Sequence, residues 1–403
     1  MYQSKTAIFA HHLVIMKLCR IILVLFLSNI LCGHSQTCKD SFPIISWGGI
    51  AADKADTLYS LAKECGFNIH LGLYSTQQNA VLSMDAAHRA QLGIIISFPQ
   101  IKDSTESAIA SIKDHPALVA YHIKDEPELC DFPWLKDLYD KISFLDSKHP
   151  CYINLLPNWS WGVEEYCNNL ELYATKFDAP FYSFDNYPVI EKNGKVTVRP
   201  DWYRNLEEFS AMARRHGKPF WAFALAKAHS ITEPQVAVYP EPTIGYLRLQ
   251  VFSNLLYGAQ AIQYFNFLGI VDPATCQKKP AFELIKQVNS EIRAYSSVFA
   301  GCSVIGVWHT GESIPSGTRQ LMEMPHKKVK NLTLRGQRAG AVVSLIDNAG
   351  ETYLAIQNRS CTEPAVLDIS FKGRVTRITL DGSARYDGQP IYLEPGHLTI
   401  FQL

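Results

Sequence analysis

The chain has 403 residues, of which 47% are hydrophobic and 19% are charged, and this is enough apolar surface for a folded protein of more than one domain. Its 38 basic and 38 acidic side chains cancel. This balance argues against nucleic acid as a partner, which demands an excess of Lys and Arg, and the apolar content excludes a disordered chain.

The first 35 residues predict a secretory signal peptide, for which Met16 is the better start. A short basic segment precedes an apolar run over residues 21–31, and small residues at positions 33 and 35 suit cleavage after Ser35. A membrane anchor is the alternative, but the run is too short to span ~30 Å of hydrocarbon. Leu31 before Cys32 fits a lipoprotein poorly. We therefore expect an exported protein, periplasmic or extracellular, with no stable membrane span.

From residue 42 to about residue 301, short β-rich runs alternate with amphipathic helical stretches. Eight strand–helix units of this size predict a (β/α)8 TIM barrel. A doubly wound open sheet is disfavoured, because no glycine-rich phosphate loop follows the first strand. The expected strands are Phe42–Trp47, Phe67–Tyr74, Ile94–Phe98, Leu118–Asp125, Cys151–Pro157, Phe181–Tyr187, Phe220–Ala226 and Ala261–Phe267.

From residue 303 to residue 403 no helical period remains. Turn signals such as Asp381-Gly382 separate short β-rich runs, and this predicts a small C-terminal antiparallel β domain resembling a sandwich. The expected strands are Ala341–Leu345, Tyr353–Gln357, Ala365–Phe371, Val375–Leu380 and Leu398–Leu403.

The fourth barrel strand is followed by Glu126 and Pro127, and Pro127 ends the strand because it has no N–H to donate. Strand alternation assigns one set of side chains to the helix side: Val119, Tyr121 and Ile123. It assigns the other set to the barrel interior: Ala120, His122, Lys124 and Glu126. A carboxylic acid at the barrel mouth can protonate a leaving-group oxygen when burial raises its pKa. The alternative is that Asp125 and Glu126 cap the next helix or pair with Lys124.

Other strand ends are expected to bring polar and aromatic side chains to the same mouth. The sixth strand would present Asp185 as a second carboxylate, and the loop after the fifth strand carries Trp159 and Trp161. Amides and carboxylates bind hydroxyl groups, and aromatic faces stack on sugar rings, so the set predicts a carbohydrate ligand. The candidate binding residues are Trp47, His70, Tyr74, Asp125, Asn154, Asn158, Tyr187, Trp221 and Tyr264.

The run from His115 to Pro127 resembles the fourth strand of clan A glycoside hydrolases, which are retaining barrel enzymes. The segments 154–158 (Asn-Leu-Leu-Pro-Asn), 185–188 (Asp-Asn-Tyr-Pro) and 257–259 (Tyr-Gly-Ala) resemble more closely exported bacterial β-galactosidase-like barrel proteins. The resemblance covers residues 42 to about 301. It implies a glycosidase in which Glu126 is the acid/base and Asp125 replaces the Asn that usually precedes it.

The chain departs from that pattern at the seventh strand, where clan A enzymes carry a nucleophilic Glu. Residues 220–230 contain no acid, which leaves Asp185 and the loop residues Glu233 and Glu241 as candidates. Carboxyl groups ~5–5.5 Å apart imply retention through a covalent intermediate, and ~6.5–9.5 Å implies inversion.

Three functions stay open at this point. The first is a glycosidase that uses Glu126 with Asp185 or a loop Glu, and the second is a carbohydrate-binding barrel without catalysis. The third is a metal-dependent hydrolase, which the sequence disfavours because it lacks His-x-His and His-Glu-x-x-His motifs and scatters its cysteines. We therefore expect no metal and no cofactor.

Overall fold

The computed structural model describes residues 42–230 and 238–403. The expected signal peptide and Glu233 lie outside the described residues. In the described part of the chain, no helix combines the length and apolar character needed to cross a membrane.

Eight parallel strands close into a barrel, and the first strand pairs with both the second and the last. In chain order they are β1 (Ile44–Trp47), β2 (Ile69–Leu73), β3 (Gly93–Ser97), β4 (Leu118–Asp125), β5 (Cys151–Leu155), β6 (Tyr182–Phe184), β9 (Phe220–Leu225) and β12 (Ala261–Phe265). The strands β9 and β12 are therefore the seventh and eighth of the barrel.

A small second sheet stands at the carboxyl end of the barrel. The hairpin β7 (Val189–Lys192) and β8 (Lys195–Val198) follows β6, and the short strands β10 (His229–Ser230) and β11 (Val238–Tyr239) follow β9. Val238 pairs with Glu191, and Tyr239 pairs with His229. The pairing brings the chain after the seventh barrel strand beside the chain after the sixth.

Helices surround the barrel and begin and end where the sequence supplies caps. Thr76 and Thr243 accept the backbone N–H of the third helical residue, as N-cap side chains do, and Gly66 and Gly217 take positive φ beyond helix ends. The helices are α1 (Ala55–Glu64), α2 (Gln77–Arg89), α3 (Gln100–Asp103), α4 (Thr105–Ile112), α5 (Phe132–Leu145), α6 (Asn158–Trp161), α7 (Tyr166–Lys176), α8 (Trp202–Arg215), α9 (Ile244–Leu256) and α10 (Ala281–Phe299).

Strand alternation separates two apolar cores. Outward residues such as Ile94 and Ile96 of β3 pack in one large cluster with the helices. Inward residues fill the barrel, and they include Ile45, Trp47, Ile69, Leu71, Ile95, Tyr152, Trp221 and Phe223. The barrel interior is thus packed rather than hollow, and a ligand of the barrel would bind at its mouth rather than inside it.

The C-terminal part is antiparallel β structure in two sheets that share an apolar cluster. One sheet contains β13 (Ser303–His309), β15 (Ala341–Asn348), β16 (Glu351–Asn358), β21 (Leu398–Gln402), β18 (Thr376–Thr379) and β19 (Gly382–Arg385). The other contains β14 (Val329–Arg335), β17 (Ala365–Phe371) and β20 (Ile391–Leu393). A barrel followed by an antiparallel β region confirms the predicted fold class.

Buried polar contacts join the β region to the barrel. Gln357 of β16 donates to the carbonyl oxygens of Arg248 and Leu249 at 3.1 and 3.2 Å and accepts from Ser253 Oγ at 2.7 Å. Arg248, itself buried, pairs with Glu291 at 2.5 Å and with Glu394 of the β region. The two parts therefore share one interior.

Candidate active site

Three carboxyl groups meet at the carboxyl end of the barrel. Asp125 ends β4, Glu126 follows it, and Asp185 follows β6. The carboxyl groups of Glu126 and Asp185 lie within hydrogen-bonding reach of each other, and a hydrogen bond between them would require one of the two to be protonated. Asp125 and Glu126 remain accessible to solvent at this mouth.

A single amide connects Asp125 and Asp185. Asn154 Nδ2 donates to Asp185 Oδ1 at 2.9 Å and to Asp125 Oδ1 at 3.2 Å. Its Oδ1 accepts a hydrogen bond from Ser183 Oγ at 2.9 Å, and this fixes which end of the amide faces the carboxyl groups.

The hydrogen-bonded network continues down the barrel interior. Gln263 of β12 donates from Nε2 to Ser183 Oγ at 2.9 Å and accepts at Oε1 from the Tyr152 hydroxyl at 2.8 Å. The Tyr152 hydroxyl also lies 2.9 Å from Ser183 Oγ. Strands β5, β6 and β12 thereby hold the orientation of the amide that contacts Asp185 and Asp125.

The surroundings favour protonated carboxyl groups. Burial raises the pKa of Asp185 well above its usual range, and the charges of Glu126 and Asp125 raise it further. Burial and the charge of Glu126 raise the pKa of Asp125 to about 6. Burial also raises the pKa of Glu126, although its hydrogen bond with Asp185 acts in the opposite direction. The pair therefore retains a proton at a pH where isolated carboxyl groups are ionised.

The backbone of Glu126 is strained. Its φ is +46°, a left-handed conformation that costs a residue with a Cβ about 1 kcal/mol or more. The Glu126 N–H donates to Asn154 O at 2.9 Å, which holds the conformation in place. Such strain concentrates at functional sites.

Two irregularities in β4 correct the predicted alternation. The register shifts between Ile94 and Ile95 against β4, and Val119 joins the interior cluster instead of the helix side. A second shift against β5 puts Lys124 opposite Ile153, so Asp125 rather than Lys124 lies beside Asn154. A bulge inserts one residue and reverses the faces beyond it, and strict alternation cannot anticipate this.

An aromatic wall borders the carboxyl groups. Ring centroids of Tyr187 lie 5.8 Å from Tyr239, 6.5 Å from His229 and 6.1 Å from Phe265. The sequence predicts Tyr187 at the mouth, and in the structure it belongs to the apolar cluster of the barrel interior.

The wall extends to an exposed tryptophan. The guanidinium of Arg199 lies 5.0 Å from the Trp159 ring centroid and 5.9 Å from that of Tyr239, and Arg199 Nη2 donates to the Tyr239 hydroxyl at 3.3 Å. Trp159 is 46% exposed, so its ring is open to a ligand. Trp161 is buried among core rings.

His70 and Tyr74 do not face the mouth, and their predicted position is wrong. His70 contacts Ser46 Oγ and Gly48 O, both at 2.7 Å, and its ring packs against Tyr59 of α1. The Tyr74 hydroxyl lies 2.6 Å from the Tyr59 hydroxyl. Since Ile69 and Leu71 point inward, His70 between them must point outward.

Three further predicted binding residues are enclosed away from the mouth. Tyr264 lies on the outer face of β12, with its ring against Phe67. Trp221 is 1% exposed and stacks on Phe181 at 3.7 Å inside the barrel. Asn158 is fully buried and contacts the chain around α8, where its Nδ2 donates to Asp201 O at 3.3 Å. None of the three is available to a ligand.

Trp47 and the residues that follow the seventh barrel strand form the rest of the surface around the barrel mouth. Trp47 is 5% exposed and packs against His122 and Phe223. Beyond β9 the chain presents Lys227, whose Nζ lies 5.9 Å from the Phe265 ring centroid, and His229. Glu241 is exposed.

The residues that sequence reasoning missed are Gln263, Ser183 as a hydrogen-bonding partner, and Tyr239. Alternation along β12 places Gln263 inward between Ala261 and Phe265, so the sequence pattern of the strand predicts that Gln263 faces the barrel interior. Tyr239 reaches the site through pairing of β11 with β7, which no local pattern predicts.

In the described ranges, no group of three or more His, Cys, Asp and Glu side chains could hold a metal ion. The seven cysteines of these ranges are free.

Comparisons with known proteins agree with the fold. No family model matches the chain, and no curated protein sequence matches it. A solved structure described as a glycoside hydrolase matches with a TM-score of 0.57 at 13% identity, over 90% of this chain and 92% of that one. A family 5 glycoside hydrolase from Bacteroides vulgatus matches with a TM-score of 0.53 at 12% identity, over 90% and 89%. The chain therefore has a barrel fold that is also found in glycoside hydrolases.

Proposed function

We propose that the protein is a glycoside hydrolase in which Glu126 is the general acid. The observation that carries the proposal is the pair of neighbouring carboxyl groups, Glu126 and Asp185, at the carboxyl end of the barrel strands, where barrel enzymes place their chemistry. Such a pair supplies what glycoside cleavage needs first, a proton for the leaving oxygen.

The two carboxyl groups have different roles in this proposal. Asp185 is the more enclosed, and the rise in its pKa keeps a proton within the pair. Glu126 is open to solvent and so can reach the oxygen of a bound substrate. The raised pKa of Glu126 suits an acid that must deliver its proton near neutral pH.

The surroundings fit a sugar. The aromatic wall and the exposed Trp159 offer ring faces, and Asp125 offers a carboxylate to hydroxyl groups. The β-galactosidase-like resemblance makes β-galactosides the first substrates to try.

The test is hydrolysis of a panel of 4-nitrophenyl glycosides and oligosaccharides, beginning with β-galactosides. Glu126→Gln should lower kcat/KM by about 10²–10⁴-fold on the substrate that the wild type cleaves. Glu323→Gln changes an exposed acid of the C-terminal β region and should leave the rate unchanged. A wild-type rate that Glu126→Gln leaves intact would overturn the assignment of the acid.

A carbohydrate-binding barrel without catalysis is the second candidate. It is favoured by the seventh strand, which ends without an acid, and by the closeness of the Glu126 and Asp185 carboxyl groups, which lie within hydrogen-bonding reach of each other. Oligosaccharide binding by calorimetry without release of any product from the panel would support it.

We also propose export to the periplasm or the cell exterior, on the signal-like sequence of residues 1–35. Terminal sequencing of the mature protein should begin at Gln36. A mature chain that retains residues 21–31 would contradict this.

A further inference from the structure

The carboxyl groups nearest to Glu126 are too close to attack a sugar from the other side. A nucleophile or base acts ~5–9.5 Å from the acid, with the sugar between the two. The Asp185 carboxyl group lies within hydrogen-bonding reach of Glu126, and Asn154 Nδ2 donates to both Asp185 and Asp125. All three groups therefore stand on one side of the mouth.

Across the mouth from β4, the described chain offers no carboxylate at the strand ends. In the barrel order the strand opposite β4 is β12, flanked by β9 and β1. The inward residues at their ends are Phe265, Leu225 and Trp47, and the chain after β9 then presents Lys227 and His229. This side of the mouth is apolar, aromatic and cationic.

We propose that the substrate supplies the nucleophile, as the carbonyl oxygen of an acylamino group on C2 of the sugar, with Asp185 accepting the N–H of that group. The inference rests on the proposed function and names its substrate class: glycosides of 2-acetamido sugars in which the acetamido group is trans to the leaving group. Trans geometry is required because the carbonyl oxygen must approach C1 from the face opposite the leaving oxygen.

The reaction balances without a further reagent. The carbonyl oxygen bonds to C1 as the C1–leaving-group bond breaks, and Glu126 gives its proton to the leaving oxygen. The amide proton passes to Asp185, which leaves a neutral oxazoline. Water then adds to C1 while Glu126 takes one of its protons, the bond between C1 and the oxazoline oxygen breaks, and the amide nitrogen recovers its proton from Asp185. The product retains the configuration at C1.

The contacts of Asp185 suit this role. While Glu126 and Asp185 share a proton, transfer of that proton to the leaving oxygen leaves Asp185 ionised just as the amide becomes positively charged. Asn154 Nδ2, 2.9 Å from Asp185 Oδ1, keeps the ionised carboxylate in place.

The first test compares matched 4-nitrophenyl glycosides that differ only in a 2-acetamido or a 2-hydroxyl group. We expect kcat/KM to favour the acetamido substrate by about 1,000-fold or more, since an intramolecular nucleophile has an effective molarity of at least ~10⁵ M. Replacing acetyl with trifluoroacetyl should slow cleavage, because fluorine makes the carbonyl oxygen a poorer nucleophile.

The second test measures binding without turnover. A sugar-fused thiazoline, the stable sulfur analogue of the oxazoline, should bind the wild type in calorimetry and lose about tenfold or more in affinity with Asp185→Asn, as expected for one charge-assisted hydrogen bond. Glu323→Gln, which changes an exposed acid of the C-terminal β region, is the matched control and should bind as the wild type does.

The outcomes separate this inference from the proposed function. Cleavage of 2-hydroxyl glycosides with no preference for acetamido would overturn the inference and leave the glycosidase standing, as would labelling of Glu233 or Glu241 by a 2-fluoro glycoside. Absence of both cleavage and thiazoline binding, with oligosaccharide binding retained, would overturn both.

Discussion

Asn154 Nδ2 lies 2.9 Å from Asp185 Oδ1, and this contact joins the end of β5 to the residue after β6. The same nitrogen reaches Asp125, and Ser183 holds the other end of the amide. The position of two carboxyl groups therefore depends on one side chain that is only 2% exposed.

Replacing Asn154 should move the pH profile. Its donated hydrogen bonds lower the pKa of Asp185 and Asp125, so Asn154→Ala should raise both and shift the profile of kcat/KM towards higher pH. The rate at the optimum should fall by about tenfold or more, because the carboxyl groups lose their orientation. Asn158→Ala removes another buried amide that does not contact the carboxyl groups, and a pH profile shifted equally by both variants would contradict the account.

Gln263 and Tyr264 are neighbours on opposite faces of β12 and offer a matched pair for stability. Gln263→Leu leaves the Tyr152 hydroxyl and Ser183 without their partner and should lower the free energy of unfolding by about 1–3 kcal/mol. Among the described residues the Tyr264 hydroxyl has no hydrogen-bond partner, so Tyr264→Phe should change the free energy of unfolding by less than about 0.5 kcal/mol. Urea unfolding measures both, and equal losses would contradict the assigned faces.

Asp185 should make stability fall as pH rises. Its folded-state pKa lies above the ordinary value of 3.8, so its contribution is complete below that value and is lost as pH rises through the folded-state pKa. Asp185→Asn cannot ionise, and its Tm relative to the wild type should increase between pH 4 and pH 8.

Glu64 should show the opposite pH dependence of stability and serves as a control. Hydrogen bonds from Lys278 and Lys286 lower its pKa, so its contribution is present above 4.5 and is lost as pH falls. Glu64→Gln should therefore lower Tm relative to the wild type at neutral pH and not at acid pH. For Asp185→Asn, a Tm difference from the wild type that stays the same between pH 4 and pH 8 would contradict the raised pKa of the buried Asp185 carboxyl group.

The barrel and the β region should unfold together. Gln357 makes buried hydrogen bonds to carbonyl oxygens of α9, and Arg248 carries charge across the same interface. We expect one calorimetric transition for the whole chain, and Gln357→Ala should lower its Tm without changing kcat/KM. Two separate transitions in the wild type would show that the interface contributes little.

The fold class and the carboxyl groups could be predicted because they depend on local patterns. Alternating strands and helices give the barrel, and Glu126 and Asp185 follow strands whose ends a barrel brings to one mouth. Strand alternation also places Gln263 on the inner face of β12, so its position could have been predicted in the same way.

The errors have specific physical causes. Two register shifts in β4 reversed the faces of Val119 and Lys124. His70 and Tyr74 were assigned to the inner face of β2, whereas Ile69 and Leu71 occupy it. Pairing between segments that are distant in the sequence, such as β11 with β7, cannot be predicted from the local sequence of either segment.

The measurement that tests the central claim most directly is the leaving-group dependence of Glu126→Gln. With a poor leaving group, which must be protonated to depart, the variant should lose about 10²–10⁴-fold in kcat/KM relative to the wild type. With a dinitrophenyl leaving group, which departs without a proton, the loss should largely disappear. Equal losses on both substrates would contradict the assignment of Glu126 as the general acid.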